Sequence, residues 1–111
     1  MGSTVQTADL AIARRFRESL RGAVPGRRFR VLLYGSRARG DADDESDLDL
    51  FVELEGDDSD RSVEEAAEAV AGDLCRAHGV LVTVFVADQS YRQAHRGYSF
   101  LENVAEEGIE P

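Results

Sequence analysis

Lysine is missing from this 111-residue chain, and cysteine occurs once, at Cys75. A single cysteine excludes an internal disulfide, and its place in a helical run predicts burial. The longest apolar run, residues 80–87, is too short to span a membrane. No leader pattern is visible at the N-terminus, which turns polar within a few residues. Internal repeats and low-complexity segments are also missing, so repeat architectures are set aside. Cytoplasmic residence is the expectation, with no membrane partner. The length predicts a single domain over residues 1–111, with one modest core.

Positive charge is scarce and unevenly spread. The net charge is −9, and all thirteen basic residues are arginine. Nine of them fall in residues 1–40, beside two acids, Asp9 and Glu18. Residues 41–73 then carry fifteen acids against Arg61 alone. Duplex DNA binding rests on neutralising phosphates with basic groups, so a chain this acidic is a poor candidate for it. The basic segment is read first as offsetting acids elsewhere on the surface, and second as a dock for an acidic partner.

The informative stretch runs from Val31 to Val52. Arg30-Val-Leu-Leu-Tyr34 is apolar and long enough for a buried strand. Gly35 follows, where the chain must turn sharply and a ligand can approach the backbone. Ser36 opens a short helical segment whose free N–H groups and dipole favour an anion, and its hydroxyl adds a donor. Arg37 and Arg39 bring positive charge, and Gly40 ends the segment. A plain turn with a helix cap would account for Gly-Ser taken alone.

Six residues later comes Ser46-Asp-Leu-Asp-Leu-Phe-Val52. On a strand Asp47 and Asp49 share one face, about 6–7 Å apart at Cα, while Leu48, Leu50 and Val52 face the core. Their oxygens can converge on hard cations such as Mg²⁺, and two such ions can clamp both oxygens of a phosphoryl transfer. Alone, this alternation equally describes a solvent-facing strand end. Glu53 falls on the same face and is read as a salt-bridged or solvated acid. The acidic loop at residues 41–45 is read as a polar connector.

Taken together, the two halves resemble the minimal nucleotidyltransferases of the DNA polymerase β-like superfamily. The chain matches their Gly-Ser-x-Ala-Arg-Gly as Gly35-Ser-Arg-Ala-Arg-Gly40 and their Ser-Asp-x-Asp-Leu as Ser46-Asp-Leu-Asp-Leu50. The segment Tyr98-Ser-Phe-Leu-Glu-Asn-Val-Ala-Glu-Glu-Gly-Ile109 looks like the tail of one subgroup, so the resemblance covers nearly the whole chain. It implies a small α/β fold, a mixed sheet of three or four strands packed on one side by helices. It implies nucleotide phosphates held by Gly35, Ser36 and Arg37, with Arg39 buttressing the turn. It implies Asp47 and Asp49 as metal ligands and, with Ser36, as the catalytic set. The cofactor would be Mg²⁺, with two ions accommodated, and the substrate a nucleoside triphosphate, ATP first.

The resemblance also implies an acceptor hydroxyl on a partner protein. Relatives pair with a helical HEPN-type toxin and act as its antitoxin by adenylylating it. Many superfamily members carry a third carboxylate on the next strand, whereas here Thr83 or an apolar neighbour stands at that position. Two readings follow. One is a metal-dependent nucleotidyltransferase, which the intact Gly-Ser and Asp pair favours. The other is a catalytically weak antitoxin that neutralises its toxin by contact, which the missing acid favours. Antibiotic nucleotidylation is weaker, because the chain has no domain to hold the drug. A homo-oligomer is compatible with the sequence.

The remaining elements follow from periodicity and caps. Residues 4–22 predict an amphipathic helix with Val5, Ala8, Ile12, Phe16 and Leu20 inward. Gly56-Asp-Asp-Ser-Asp60 reads as a flexible acidic turn. Ser62 and Glu65 form a capping box for a helix burying Val63, Ala66, Ala67, Val70, Leu74 and Cys75, which His78 and Gly79 close. His78 is read as a favourable helix-end contact rather than a ligand. The apolar residues 80–87 predict a central strand covered on both faces. Asp88 is read as the cap of a short helix. Ser99 with Glu102 forms a second capping box, ahead of a helix with Phe100, Leu101 and Val104 inward. Tyr91 and Tyr98 are read as hydrophobic anchors.

Overall fold

The computed structural model describes residues 5–40 and 46–111. The loop at residues 41–45, read above as a polar connector, lies outside them. In chain order the elements are α1 (Thr7–Ala23), β1 (Phe29–Tyr34), α2 (Ser36–Arg39), β2 (Leu48–Leu54), α3 (Ser62–His78), β3 (Val82–Ala87), α4 (Gln89–Ala94) and α5 (Ser99–Glu107). The three strands form one mixed sheet in the order β1-β2-β3. β1 runs antiparallel to β2, with Tyr34 opposite Asp49, and β3 runs parallel to β2, with Thr83 opposite Asp49.

Strand alternation splits the sheet into two faces. One face presents Val31, Leu33, Leu48, Leu50, Val52 and Val82 to α1 and α3, which contribute Ile12, Phe16, Leu20, Ala67, Ala71 and Leu74. Phe16 and Leu20 are fully buried, and each such side chain contributes about 1.5–3 kcal/mol. The other face carries Leu32, Phe51 and Ala87 under Val104, Phe100 and Leu101 of α5 and Tyr91 of α4. Helices therefore cover both faces rather than one. The second layer is aromatic: Phe100 packs edge-on against Tyr34, Phe51 and Phe85.

Residues 80–87 do not supply the central strand expected of them. β3 occupies the edge of the sheet, and β2 is central. Continuous hydrophobicity reports that both faces are covered, as they are here. It carries no information about the backbone edge.

Helix starts differ from the expected capping boxes. Ser62 is the first residue of α3, and Arg61 precedes it at φ 60°. The cap is Asp58, whose carboxylate accepts from the N–H groups of Val63 (3.0 Å) and Glu64 (2.9 Å). The acidic turn is thereby committed structure. Asp58 is buried, and Asp57 accepts from Ser90 at the start of α4. Carboxylates gather there because helix starts expose unpaired N–H groups. Asp88 caps α4 by accepting from the Tyr91 N–H at 2.8 Å, as expected. At α5 the cap position is Tyr98, with no side-chain cap bond, so the Ser99 box does not form. In α1 the inward positions are Asp9, Ile12, Ala13, Phe16 and Leu20, while Ala8 is exposed. No helix among the described residues is long and apolar enough to cross a membrane.

Candidate active site

β1 delivers the chain to Gly35, which sits at φ 80° and ψ −160°. That combination is essentially confined to glycine. A β-carbon on Gly35 would lie 2.5 Å from Asp49 Oδ2. The space a side chain would need is occupied by the carboxylate, so the Gly-Ser turn and Asp49 are in direct contact. The antiparallel register explains the meeting: Tyr34, the residue before the turn, is opposite Asp49.

Asp49 is oriented from the other side by β3. Thr83 Oγ1 donates to Asp49 Oδ1 at 2.6 Å. Thr83, one of the residues named above for the third acid's position, lies opposite Asp49 and donates its hydroxyl to that carboxylate. Tyr34 completes the surroundings. Burial, and then the neighbouring Asp49 charge, push its phenol up to about 12, so it stays protonated through the physiological range.

Asp47 immediately precedes β2 and is exposed, whereas Asp49 is half-buried. Its approach is fixed by Arg37. The Arg37 Nε donates to the Ser46 carbonyl at 2.9 Å, and Nη1 donates to Asp9 Oδ1 at 2.9 Å. The Arg37–Asp9 pair is nearly dry, at 12% and 6% side-chain exposure. The guanidinium named above for phosphate thus ties α1, α2 and the entry to β2 together. Arg39, read above as buttressing the turn, makes an exposed ion pair with Glu107 of α5 at 3.3 Å. Glu53 pairs with Arg30 at 3.5 Å, at the far end of the β1–β2 ladder from Asp49. His78 is the last residue of α3.

Gly35, Asp49 and Thr83 therefore meet, with Ser36 next to Gly35 in the chain, Asp47 exposed two residues before Asp49, and Arg37 bonded to the Ser46 carbonyl just ahead of it. Two residues escape a reading of the sequence alone. Asp9 is a lone acid in the first turn of an arginine-rich helix, and that isolation is its only signal. Tyr34 is the residue opposite Asp49, which becomes visible only when the register is known. A cleft of about 330 Å³, lined by Arg28, Phe29, Arg30, Glu53, Glu55 and Arg92, lies at the opposite end of these strands and holds none of the site residues. Among the described residues, the contact of turn and carboxylate marks the site.

The donor set suits a hard divalent cation in kind, since such ions prefer carboxylate oxygens and Asp49 lies against the glycine turn. Among the described residues no group of three or more His, Cys, Asp or Glu side chains could hold a metal by itself. Any ion there would need ligands beyond the two aspartates.

Comparison with known proteins bears on this geometry. The family model described as "Nucleotidyltransferase domain" matches residues 13–103. The chain is also 32% identical, over 94 residues, to a protein of Methanocaldococcus jannaschii named "Putative protein adenylyltransferase", an alignment spanning 84% of this chain and 87% of that one.

Proposed function

Since the chain belongs to the nucleotidyltransferase domain family, we propose that it transfers a nucleoside monophosphate from a triphosphate, ATP first, to a hydroxyl on a partner protein. The observation that carries this reading is the contact between Gly35 and Asp49 Oδ2. It supports a triphosphate on the turn lying within reach of the carboxylate.

In this mechanism the missing side chain at Gly35 makes room for the Asp49 carboxylate beside the turn, the backbone of the turn receives the phosphates, and Ser36 supplies a hydroxyl donor. Asp47 and Asp49 would hold Mg²⁺, which supplies charge neutralisation and alignment when bound. The acceptor oxygen forms a bond to the α-phosphorus, the bond from that phosphorus to the bridging oxygen breaks, and pyrophosphate leaves. The acceptor's proton goes to a base on the partner, because β3 offers Thr83 in place of a third acid. Thr83 and Arg37 are positioning residues: one fixes the rotamer of Asp49, the other the entry of Asp47. Most of the rate enhancement then comes from orientation and charge stabilisation. The protein acceptor follows the name of the archaeal relative, and a helical HEPN-type partner is the acceptor the sequence resemblance favours.

Thr83 in the acid's place favours a second reading, in which the same fold neutralises the partner by binding alone. One experiment separates the two. The protein is incubated with Mg²⁺, α-labelled ATP and the product of the neighbouring gene, beside an Asp47→Asn/Asp49→Asn variant. Label on the partner with the unmodified protein only is expected. Equal neutralisation by both proteins without label would sink the enzyme reading.

A further inference from the structure

Asp49 stands in the middle of a row that crosses the sheet. The register sets Tyr34 of β1 opposite it on one side and Thr83 of β3 on the other, and directly opposed residues project from the same face. A hydroxyl-bearing side chain therefore flanks the carboxylate on each side, and the two are used differently. Thr83 Oγ1 is committed to Asp49 Oδ1 at 2.6 Å. Among the described residues, nothing accepts a hydrogen bond from the Tyr34 phenol. The one buried side-chain polar atom without a partner among them is Arg17 Nε, so the phenol oxygen is reached by solvent. The ring, by contrast, is held. Phe51 and Phe100 meet it edge-on, with centroids 6.2 and 5.8 Å away. The backbone beneath is fixed as well: Leu33, one residue earlier, exchanges both backbone hydrogen bonds with Ile109, each at 2.8 Å.

Phenylalanine would make those ring contacts equally well. The oxygen thus has no structural use among the described residues, yet it belongs to the residue before Gly35 and lies beside the carboxylate that touches that turn. Burial, and then the Asp49 charge, push the phenol up to about 12, which excludes a base and leaves a neutral donor. We propose that the Tyr34 hydroxyl donates to a phosphate oxygen of the nucleoside triphosphate on the Gly35–Ser36 turn, a binding contact that rests on the transferase reading above. The turn needs such a donor because its arginines are engaged elsewhere. Arg37 bonds Asp9 and the Ser46 carbonyl, and Arg39 pairs with Glu107. A hydroxyl also suits the place better than a cation would. It adds a donor without a charge, whereas a guanidinium opposite Asp49 would pair with the carboxylate and compete with a metal ion for it. Because the ring is already held, little ordering cost falls on binding.

Tyr34→Phe tests this, since it deletes the oxygen and keeps the ring. Its melting temperature at neutral pH without ligand should match that of the unmodified protein. Calorimetry with Mg²⁺ and α,β-methylene-ATP, whose α-phosphorus cannot be transferred, should show binding weakened about 10- to 100-fold, the size of one hydrogen bond to a charged group. With tyrosine isotope-labelled at Cζ, the NMR signal that Tyr34→Phe removes should move when Mg²⁺ and the analogue are added, while those of Tyr91 and Tyr98 stay. If the unmodified protein binds the analogue, equal affinities with an unmoved Tyr34 signal would overturn this contact and leave the transferase reading standing. Equal affinity with slower transfer to the partner protein would put the hydroxyl on the acceptor and overturn the phosphate assignment. An unmodified protein that takes up no analogue would overturn both.

Discussion

Replacing Gly35 by alanine probes the contact on which the functional reading rests. Two costs are separable. The first is backbone strain: φ 80° with ψ −160° is foreign to alanine, and such conformations cost about 1–3 kcal/mol. The second is the encounter of the new β-carbon with Asp49 Oδ2 at 2.5 Å. Relief requires Asp49 to rotate, which breaks its 2.6 Å bond from Thr83. A hydrogen bond to a charged group contributes about 1.5–3 kcal/mol. In an Asp49→Ala background the second cost vanishes, since the β-carbon that remains at that position lies at an ordinary 3.6 Å. Gly35→Ala should therefore destabilise by about 3–5 kcal/mol with Asp49 intact and by about 1–3 kcal/mol in the Asp49→Ala background, a coupling of about 2 kcal/mol in urea denaturation. Nucleotidyl transfer should fall to background with Gly35→Ala. Equal costs in the two backgrounds would refute the claimed contact of turn and carboxylate.

Tyr34 has its phenol raised from 10.0 to about 12, so the folded state holds that proton longer than the unfolded chain. Its stabilising contribution is present below about pH 10 and lost as pH rises toward 12. Without lysine to titrate in that window, Tyr34→Phe should visibly flatten the fall in melting temperature. Arg37→Ala strands a buried Asp9, and breaking such pairs costs about 3–5 kcal/mol. Arg37→Ala/Asp9→Asn should recover part of it, measured by denaturant midpoint. Thr83→Asp puts a carboxylate against Asp49, so its melting temperature should drop in chelator and recover with added Mg²⁺ more than that of the unmodified protein. Asp58→Ala removes the cap of α3 and should cost about 1–2 kcal/mol without changing the pH profile of any activity.

The catalytic stretch is legible in the sequence because its chemistry is local. A strand, a glycine turn and alternating aspartates each leave a mark a few residues long, and β1, α2 and β2 lie where those marks put them. What escapes depends on pairings across the chain. The Asp9–Arg37 bond spans distant segments, and burial of an acid inverts the usual reading of a charged helix face, which puts Ala8 inward in its stead. Capping fails similarly. Ser62 and Glu65 have the right spacing, but the chain bends one turn earlier and presents Asp58 to the open N–H groups. Apolarity points β3 to the centre of the sheet because side chains report what lies above and below a strand. Its lateral neighbours are written in the backbone, which the sequence does not vary.

The stitch between Leu33 and Ile109 has a corollary for the turn it precedes. Two backbone bonds of 2.8 Å moor residue 109 beside the strand that ends at Tyr34, one step before Gly35. Ile109→Pro removes the donor of one of them, so the melting temperature is expected to fall.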